Sequence, residues 1–302
     1  MPTRVPTLSS NADSAWLSPV PLFFVFLWST GFIVAKLGLP YAPPLTFLIV
    51  RCLGVLAVLL PVVLLWRAPM PQAGQFKHIA VAGLLLQAGY LGGVWAAIKL
   101  GMPAGLTALI VGMQPILTAV AAPLIGERVR PLQWLGLMLG LSGVALVVAS
   151  KLSLTGWSAP ALMLCLFALC SITAGTMYQR HFCPRFDLRT GTVIQFGATV
   201  LALLPLAIWL EDLDRHFSTI TWSRDFIVAL LWSVFALSIG AIFLLFRLIG
   251  RSQATQVTSL MYLTPPTTAI MAWLLFGEAL GVLGLAGMAV AVLGVAFVVK
   301  KT

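Results

Sequence analysis

Long apolar runs, each about as long as a membrane-crossing helix, follow one another along almost the whole chain. They cover residues 19–38, 44–66, 78–99, 104–125, 131–150, 157–179, 190–210, 226–248, 254–276 and 280–299. An α-helix needs about 20 apolar residues to cross the hydrocarbon core of a bilayer. The pattern therefore predicts an all-α integral membrane protein with ten transmembrane helices.

The fourth and fifth runs recur as the ninth and tenth. Matched positions are 151 residues apart throughout: Thr107 and Thr258, Pro115 and Pro266, Gly126 and Gly277, Glu127 and Glu278, Gly136 and Gly287, Gly143 and Gly294. Each half contains five predicted helices, an odd number, so the second half enters the membrane from the opposite side. We therefore predict two inverted five-helix repeats, covering residues 1–151 and 152–302.

Each copy of the repeat has a proline near the middle of a predicted helix, Pro115 in the first and Pro266 in the second. Such a proline removes one backbone hydrogen bond and frees the carbonyl four residues earlier. Matched helix breaks in two halves are typical of the binding sites of transporters. We expect Pro115 and Pro266 to act as hinges; a static kink that only improves packing is the alternative.

Composition and charge fit a membrane protein. The chain is 60% hydrophobic and only 9% charged, whereas a soluble domain has about 25% charged residues. The net charge of +10 does not indicate nucleic-acid binding, because the 18 Lys and Arg residues sort by side. One side holds Lys36, Lys99, Lys151, Arg215 and Arg224, and Arg51 is within a run; the side with both termini holds the other 12 (18 − 5 − 1). Cytoplasmic loops carry the Lys and Arg excess, so we expect both termini in the cytoplasm and membrane lipids around the helices.

Polar and aromatic residues near mid-depth predict a cavity for a small-molecule substrate. We expect it to be lined by Trp28, Gln87, Tyr90, Gln114, Trp232 and Tyr262. Binding pockets are mostly apolar with a few placed polar groups, which this set provides. Hydrogen bonding between helices is the other interpretation of the stripe formed by Gln87 and Tyr90.

Arg51 lies inside the second run, about 7 residues or roughly 10 Å from its outer end. A charge at that depth indicates a functional site by default. An arginine that extends to the outer headgroups explains the position equally well. The sequence leaves both interpretations open.

The sequence contains no pattern of catalytic, metal-binding or phosphate-binding residues. Serine-elbow, HExxH and phosphate-loop motifs are missing, and the four cysteines lack ligand spacing. We therefore predict neither an enzyme nor a bound cofactor or metal. No Asp or Glu falls in the middle of a run, which favours a facilitator over a proton-coupled carrier. Glu127 and Glu278 at the ends of runs could still titrate, which leaves proton coupling open as the alternative.

These features together resemble the EamA domain of the drug/metabolite transporter superfamily. The residues that carry the resemblance are Trp28, Ser29, Phe32, Lys36, Phe47, Arg51, Ala97 to Lys99, Pro115, Gly126 to Arg128, Gln133, Gly136 and Gly143, and in the second half Arg247, Pro266, Gly277, Glu278, Gly287 and Gly294. The second half matches poorly in its first two helices, and Gln195 stands where Arg51 would recur.

The resemblance implies a cavity formed by helices 1, 3, 4, 6, 8 and 9. Members of the superfamily export amino acids, other metabolites and cationic drugs. We therefore expect a bacterial inner-membrane carrier that exports small metabolites, most readily amino acids, by alternating access. A passive channel and a drug or cation efflux protein are the alternatives. The sequence fixes no oligomeric state and is compatible with a monomer.

Overall fold

The computed structural model describes residues 19–102, 107, 110–126, 128–149, 158–183, 185–212, 220–251, 254–276 and 281–299. Every regular element in this part of the chain is helical. The expected boundary between the repeats, at residues 151 and 152, lies outside it, as do Glu127 and Glu278.

The helical segments follow the predicted apolar runs closely. In chain order they are α1 (Val20–Gly38), α2 (Pro44–Leu65), α3 (73–99), α4 (Gln114–Ala121, continued as a 3₁₀ turn over Ala122–Ile125), α5 (Pro131–Ala149), α6 (Ala159–Phe182), α7 (Leu188–Glu211), α8 (224–251), α9 (254–276) and α10 (Val282–Val299). Stretches in α2, α3, α6, α7 and α8 are long and apolar enough to cross a membrane. The chain is therefore a multi-pass, all-helical membrane protein.

Two helices change type at corresponding places. α3 adopts π-helical geometry over Leu84–Gly89, and α8 does so over Ser233–Ala241. Adding the repeat offset of 151 to 84–89 gives 235–240, which falls inside the second π segment. Short π segments interrupt regular helices most often at functional sites.

The fourth and ninth helices are interrupted just before their prolines. The chain turns at Gly112 and Met113 and becomes helical again at Gln114, so Pro115 lies in the first turn of the new segment. In α9, a 3₁₀ turn over Leu260–Leu263 precedes the segment Thr264–Phe276, whose third residue is Pro266. Proline is favoured in a first helical turn because its missing N–H would have no partner there. Each helix therefore consists of separate segments rather than one bent rod.

Glycines bring α5 and α10 together at backbone distance. A Cβ atom added to Gly143 would lie 2.3 Å from the Ala291 nitrogen and 2.6 Å from the Gly287 oxygen. One added to Gly136 would lie 2.6 Å from the Gly294 oxygen. Contacts pair 143 with 287 and 136 with 294, so the two helices run antiparallel. Small residues therefore form the packing face between these two helices.

The contacts between helices follow a consistent pattern. The contacting pairs include α1–α8, α3–α6, α1–α9, α4–α6, α2–α7, α4–α9 and α5–α10. Exchanging α1–α5 for α6–α10 maps each of these pairs onto a pair in the same set. The two halves of the chain therefore interlock instead of standing side by side.

Polar contacts at the helix ends connect loops that the alternating pattern assigns to the same side. At one end, the Glu211 carboxylate accepts hydrogen bonds from the Leu45 and Thr46 backbone nitrogens, both at 2.8 Å. The Thr46 hydroxyl donates to the same carboxylate at 2.9 Å. At the other end, the Thr190 hydroxyl donates to the Pro69 carbonyl at 3.0 Å. Glu211 thereby supplies acceptors for free N–H groups at the start of α2.

Candidate functional site

A central cavity in three adjoining lobes lies among the helices of both halves. Trp28 of α1 and Tyr90 of α3 line all three lobes. Further lining residues come from α4, α6, α8 and α9, as the family resemblance implied, and α2 adds Arg51. We name the parts the Arg51 lobe (about 70 Å³), the Gln114 lobe (about 40 Å³) and the inner lobe (about 10 Å³), which contains Thr176 and Thr258. Of the three, the Arg51 lobe has the largest volume.

The π segment of α3 places two of the predicted residues at the cavity. Gln87 lies within it and Tyr90 follows it directly. Both line the Arg51 lobe and the inner lobe. Trp28 lines the same two lobes. The structure thus brings Trp28, Gln87 and Tyr90 together at the point where the lobes meet.

Arg51 projects into the protein rather than towards lipid. It is only 6% exposed and lines the lobe that carries its name. Its Nε donates to the Ser238 hydroxyl at 2.7 Å, and that hydroxyl donates to the Ser233 carbonyl at 2.7 Å. In the described part of the chain, no carboxylate pairs with Arg51. Enclosing an ion without a counter-ion is costly, so Arg51 is an unusual wall residue.

Gln114 presents an unused acceptor. Its Nε2 donates to the Thr176 hydroxyl at 3.2 Å, and Thr176 donates its own proton to the Ile172 carbonyl at 2.8 Å. This chain of donors fixes the amide orientation, because the Thr176 proton is already committed. Among the described residues, Gln114 Oε1 is buried without a hydrogen-bond partner, and so is the Thr264 hydroxyl. Both residues line the Gln114 lobe and begin the helical segments that follow the breaks in α4 and α9.

Two predicted site residues lie elsewhere. Trp232 is 42% exposed on the outer surface of α8, and its indole donates to the Thr30 hydroxyl at 2.8 Å. Tyr262 is fully buried, but its ring packs on Gly140 of α5, where an added Cβ would lie 2.2 Å away. Neither residue lines the three lobes, and Met261 takes the place at the cavity that we expected of Tyr262.

The two prolines have different surroundings. Pro115 is buried next to Gln114. Pro266 instead lines an open apolar groove of about 640 Å³ between α1, α9 and α10, together with Phe26 and Ile270. The two helix breaks correspond in sequence and both prolines are buried, but only Pro115 directly follows a residue that lines the cavity.

Sequence reasoning left Arg51 undecided and missed Ser238, Met261 and Thr264. Arg51 carried a usable signal, since it lies about 7 residues inside its apolar run, whereas Lys36, Lys99 and Arg247 lie within two residues of the end of theirs. Thr264 also carried one, because it directly precedes the prolines of α9. Ser238 had no such signal: the π segment that aims it at Arg51 is not visible in an evenly apolar stretch.

The described walls of the cavity have the chemistry of a binding site for a small solute. Its described walls are mainly apolar and aromatic, and Arg51 is their one side chain charged at neutral pH. Across the described residues, no three His, Cys, Asp or Glu side chains cluster as a metal site requires. Such walls suit a small solute with an apolar part and a few polar groups.

Comparison with known proteins gives consistent similarities. The model of the EamA-like transporter family matches residues 20–149 and 159–300. The uncharacterized transporter YvbV of Bacillus subtilis is 30% identical over 93% of this chain and 90% of its own length. A "Probable amino-acid metabolite efflux pump" of Salmonella typhimurium is 29% identical over 88% and 89%. The uncharacterized inner membrane transporter YedA of Escherichia coli is 28% identical over 86% and 85%.

A solved crystal structure shares the fold. It superposes with a TM-score of 0.76 over 95% of this chain and 97% of its own, at 18% sequence identity. At that identity, the likeness concerns the fold alone.

Proposed function

The chain belongs to the EamA-like transporter family, and on that basis we propose that it exports small metabolites, most readily amino acids, by alternating access through the central cavity. The observation that carries this proposal is the cavity itself. It lies among helices of both halves, beside paired helix breaks, and its described walls are mainly apolar and aromatic with a few polar groups. Paired breaks at such a site allow the two halves to move against each other, so that the cavity opens to one side of the membrane at a time.

We also propose that all ten helical segments cross the membrane as two inverted repeats. The glycine contacts between α5 and α10 support this arrangement. Gly136 meets Gly294 and Gly143 meets Gly287, and the repeat offset of 151 relates 136 to 287 and 143 to 294. A contact set that maps onto itself in this way is the signature of a two-fold relation. The exchangeable helix pairs support the same relation.

For the orientation, we propose that both termini are cytoplasmic and that the membrane is the inner membrane of a bacterium. The Lys and Arg excess on one side supports the first part, and the relative YedA supports the second. Arg185→Cys and Leu100→Cys, made separately in a Cys170→Ser background, test the orientation, since both positions are exposed at opposite ends. We expect an impermeant thiol reagent added to intact cells to label only position 100. Labelling of position 185 would show that this loop faces the outside and that the proposed orientation is wrong.

Amino acids are the first candidates as substrates because one relative is named as a probable amino-acid metabolite efflux pump. Export of cationic drugs, an alternative that the superfamily offers, has less support, because the described cavity walls contain no acidic side chain. A monomer suffices for the proposal, since every lobe is lined by one chain.

The substrate proposal is tested by transport into proteoliposomes containing the purified protein. The panel comprises radiolabelled amino acids, nucleosides, sugars and organic cations. We expect saturable transport of amino acids, with mutual competition among those that share a carrier. Transport restricted to organic cations would show that the protein is a cation efflux protein and not an amino-acid exporter.

A further inference from the structure

We propose that Arg51 is the anion-binding group of the central cavity, so that the protein selects solutes with a carboxylate and rejects organic cations. This inference rests on the proposed transport function, because it names the charge class of the solute that the same cavity takes. It concerns a residue on α2, outside the helices that the family resemblance assigns to the cavity.

The way Arg51 is held leaves part of its guanidinium for a ligand. Ser238 occupies Nε at 2.7 Å, and its hydroxyl proton is committed to the Ser233 carbonyl. That contact fixes the plane of the guanidinium and leaves both terminal nitrogens to donate elsewhere. A carboxylate matches two parallel N–H donors of an arginine in length and geometry.

The charge of Arg51 is not compensated by the described protein around it. No Asp or Glu lines any of the three lobes, and no described carboxylate pairs with Arg51. The charge therefore favours an anionic group in the Arg51 lobe and repels an ammonium group placed there. A solute that carries a carboxylate supplies the missing counter-ion each time it binds.

A lipid-facing role does not explain this geometry. An arginine that extends along a helix surface keeps its charged head in the headgroup region. Arg51 is 6% exposed, and its hydrogen bond is to the π segment of α8, which packs directly against α2. The π geometry of that segment turns Ser238 towards Arg51 while its own hydroxyl bonds five residues back.

The other residues that line the Arg51 lobe indicate what the rest of the solute should look like. Trp28, Tyr90 and Trp95 contribute aromatic surface, and most other lining residues are aliphatic. Aromatic faces accept an apolar or aromatic side chain and also tolerate an α-ammonium group. The best match is therefore a carboxylate with a compact apolar or aromatic remainder.

Three probes with one ring and different charges separate the possibilities: phenylalanine, phenylpropionate, which lacks the ammonium group, and phenethylamine, which lacks the carboxylate. Binding is read from the thermal unfolding midpoint of the purified protein, and transport from competition in proteoliposomes. We expect phenylalanine and phenylpropionate to stabilise the protein and phenethylamine to leave it unchanged. Equal stabilisation by phenethylamine and phenylalanine would overturn the proposal.

Variants test whether Arg51 itself supplies the selectivity. In Arg51→Met, we expect apparent affinity for the carboxylates to fall roughly tenfold or more, because a charge-assisted bond is lost. Without ligand, this variant should unfold at the wild-type temperature or above it, since an uncompensated charge has gone. Arg51→Lys should recover part of the affinity. Arg67→Met, which removes an exposed arginine at the end of the same helix, is the matched control and should change neither property.

Ser238→Ala provides a milder test, because it removes only the contact that orients Arg51. We expect weaker carboxylate binding and an unfolding temperature slightly below that of the wild type, because the buried Arg51 Nε loses its acceptor. Carboxylate affinity that stays within twofold of wild type in Arg51→Met would refute the assignment. A fall in unfolding temperature that is the same in Arg51→Met and Ser238→Ala would also refute it. Carboxylate binding without any transport would refute the proposed function and leave the anion site standing. Transport without a preference for carboxylates would refute the anion site and leave the transport function standing. If the protein neither transports nor binds carboxylates, both proposals are wrong.

Discussion

Replacing Gly143 by alanine is expected to destabilise the protein clearly, although alanine is the better helix former. The added Cβ would lie 2.3 Å from the backbone nitrogen of Ala291, and backbone cannot rotate away as a side chain does. Overpacking of this kind costs about 1–3 kcal/mol. The gain in helix propensity is only about 1 kcal/mol, so α5 and α10 must separate. Gly143→Leu should be worse still and prevent stable folding.

Gly197 provides a control within the same membrane protein. It lies inside α7, and an added Cβ there would meet nothing within 4 Å. Gly197→Ala should therefore match the wild type or exceed it by up to about 1 kcal/mol. Thermal unfolding in detergent, followed by fluorescence, measures both variants. An unfolding midpoint for Gly143→Ala equal to that of Gly197→Ala would show that the close approach of α5 and α10 is not rigid.

The same interface allows a test of the two-fold relation. Gly294 is the repeat counterpart of Gly143, and its added Cβ would lie 2.3 Å from the Gly140 nitrogen. Gly294→Ala should therefore lower the unfolding midpoint by about as much as Gly143→Ala. The double variant should lose less than the two single losses together, because helices already separated by one methyl group accommodate the other. Strongly unequal single losses would argue against symmetric packing.

Replacing Pro115 by alanine is expected to slow transport while leaving the fold stable. The helical segment beginning at Gln114 follows a turn at Gly112 and Met113. An alanine N–H at position 115 can bond the Val111 carbonyl and extend the helix through that turn. A net hydrogen bond contributes about 1 kcal/mol, which corresponds to roughly a fivefold slower transition if that bond must break in each cycle.

Pro266→Ala should have a smaller effect than Pro115→Ala. Pro265 remains beside it and still lacks an N–H group, and Pro266 lies on the apolar groove outside the cavity. Turnover measured at saturating substrate, with unfolding temperature as the control, separates a hinge from a packing kink. A kink that only aids packing would change the unfolding temperature and leave turnover as it was.

The helices could be predicted from the sequence because membrane-spanning segments need long apolar runs. The cavity residues of α3 were also predictable: Gln87 and Tyr90 are polar groups in an apolar run, and both line the cavity. Trp28 and Gln114 followed from the same reasoning.

The rest depends on the rotation of each helix about its axis, which apolar runs do not encode. Trp232 and Tyr262 have suitable depth and chemistry, yet α8 turns Trp232 outward and α9 packs Tyr262 onto Gly140. The π segments change that rotation partway along α3 and α8, and no residue type in the sequence predicts where they occur. Arg51 was ambiguous for the same reason, because only its contact with Ser238 distinguishes a cavity position from a lipid-facing one.

The most direct test of alternating access is counterflow in proteoliposomes. Vesicles are loaded with unlabelled amino acid and diluted into a trace of the labelled form. A carrier that exposes one cavity to each side in turn drives transient accumulation of label above equilibrium. We predict such an overshoot for the wild type, with a slower rise in Pro115→Ala. Label that only approaches equilibrium, at a rate that does not saturate with concentration, would show a passive channel and contradict the account.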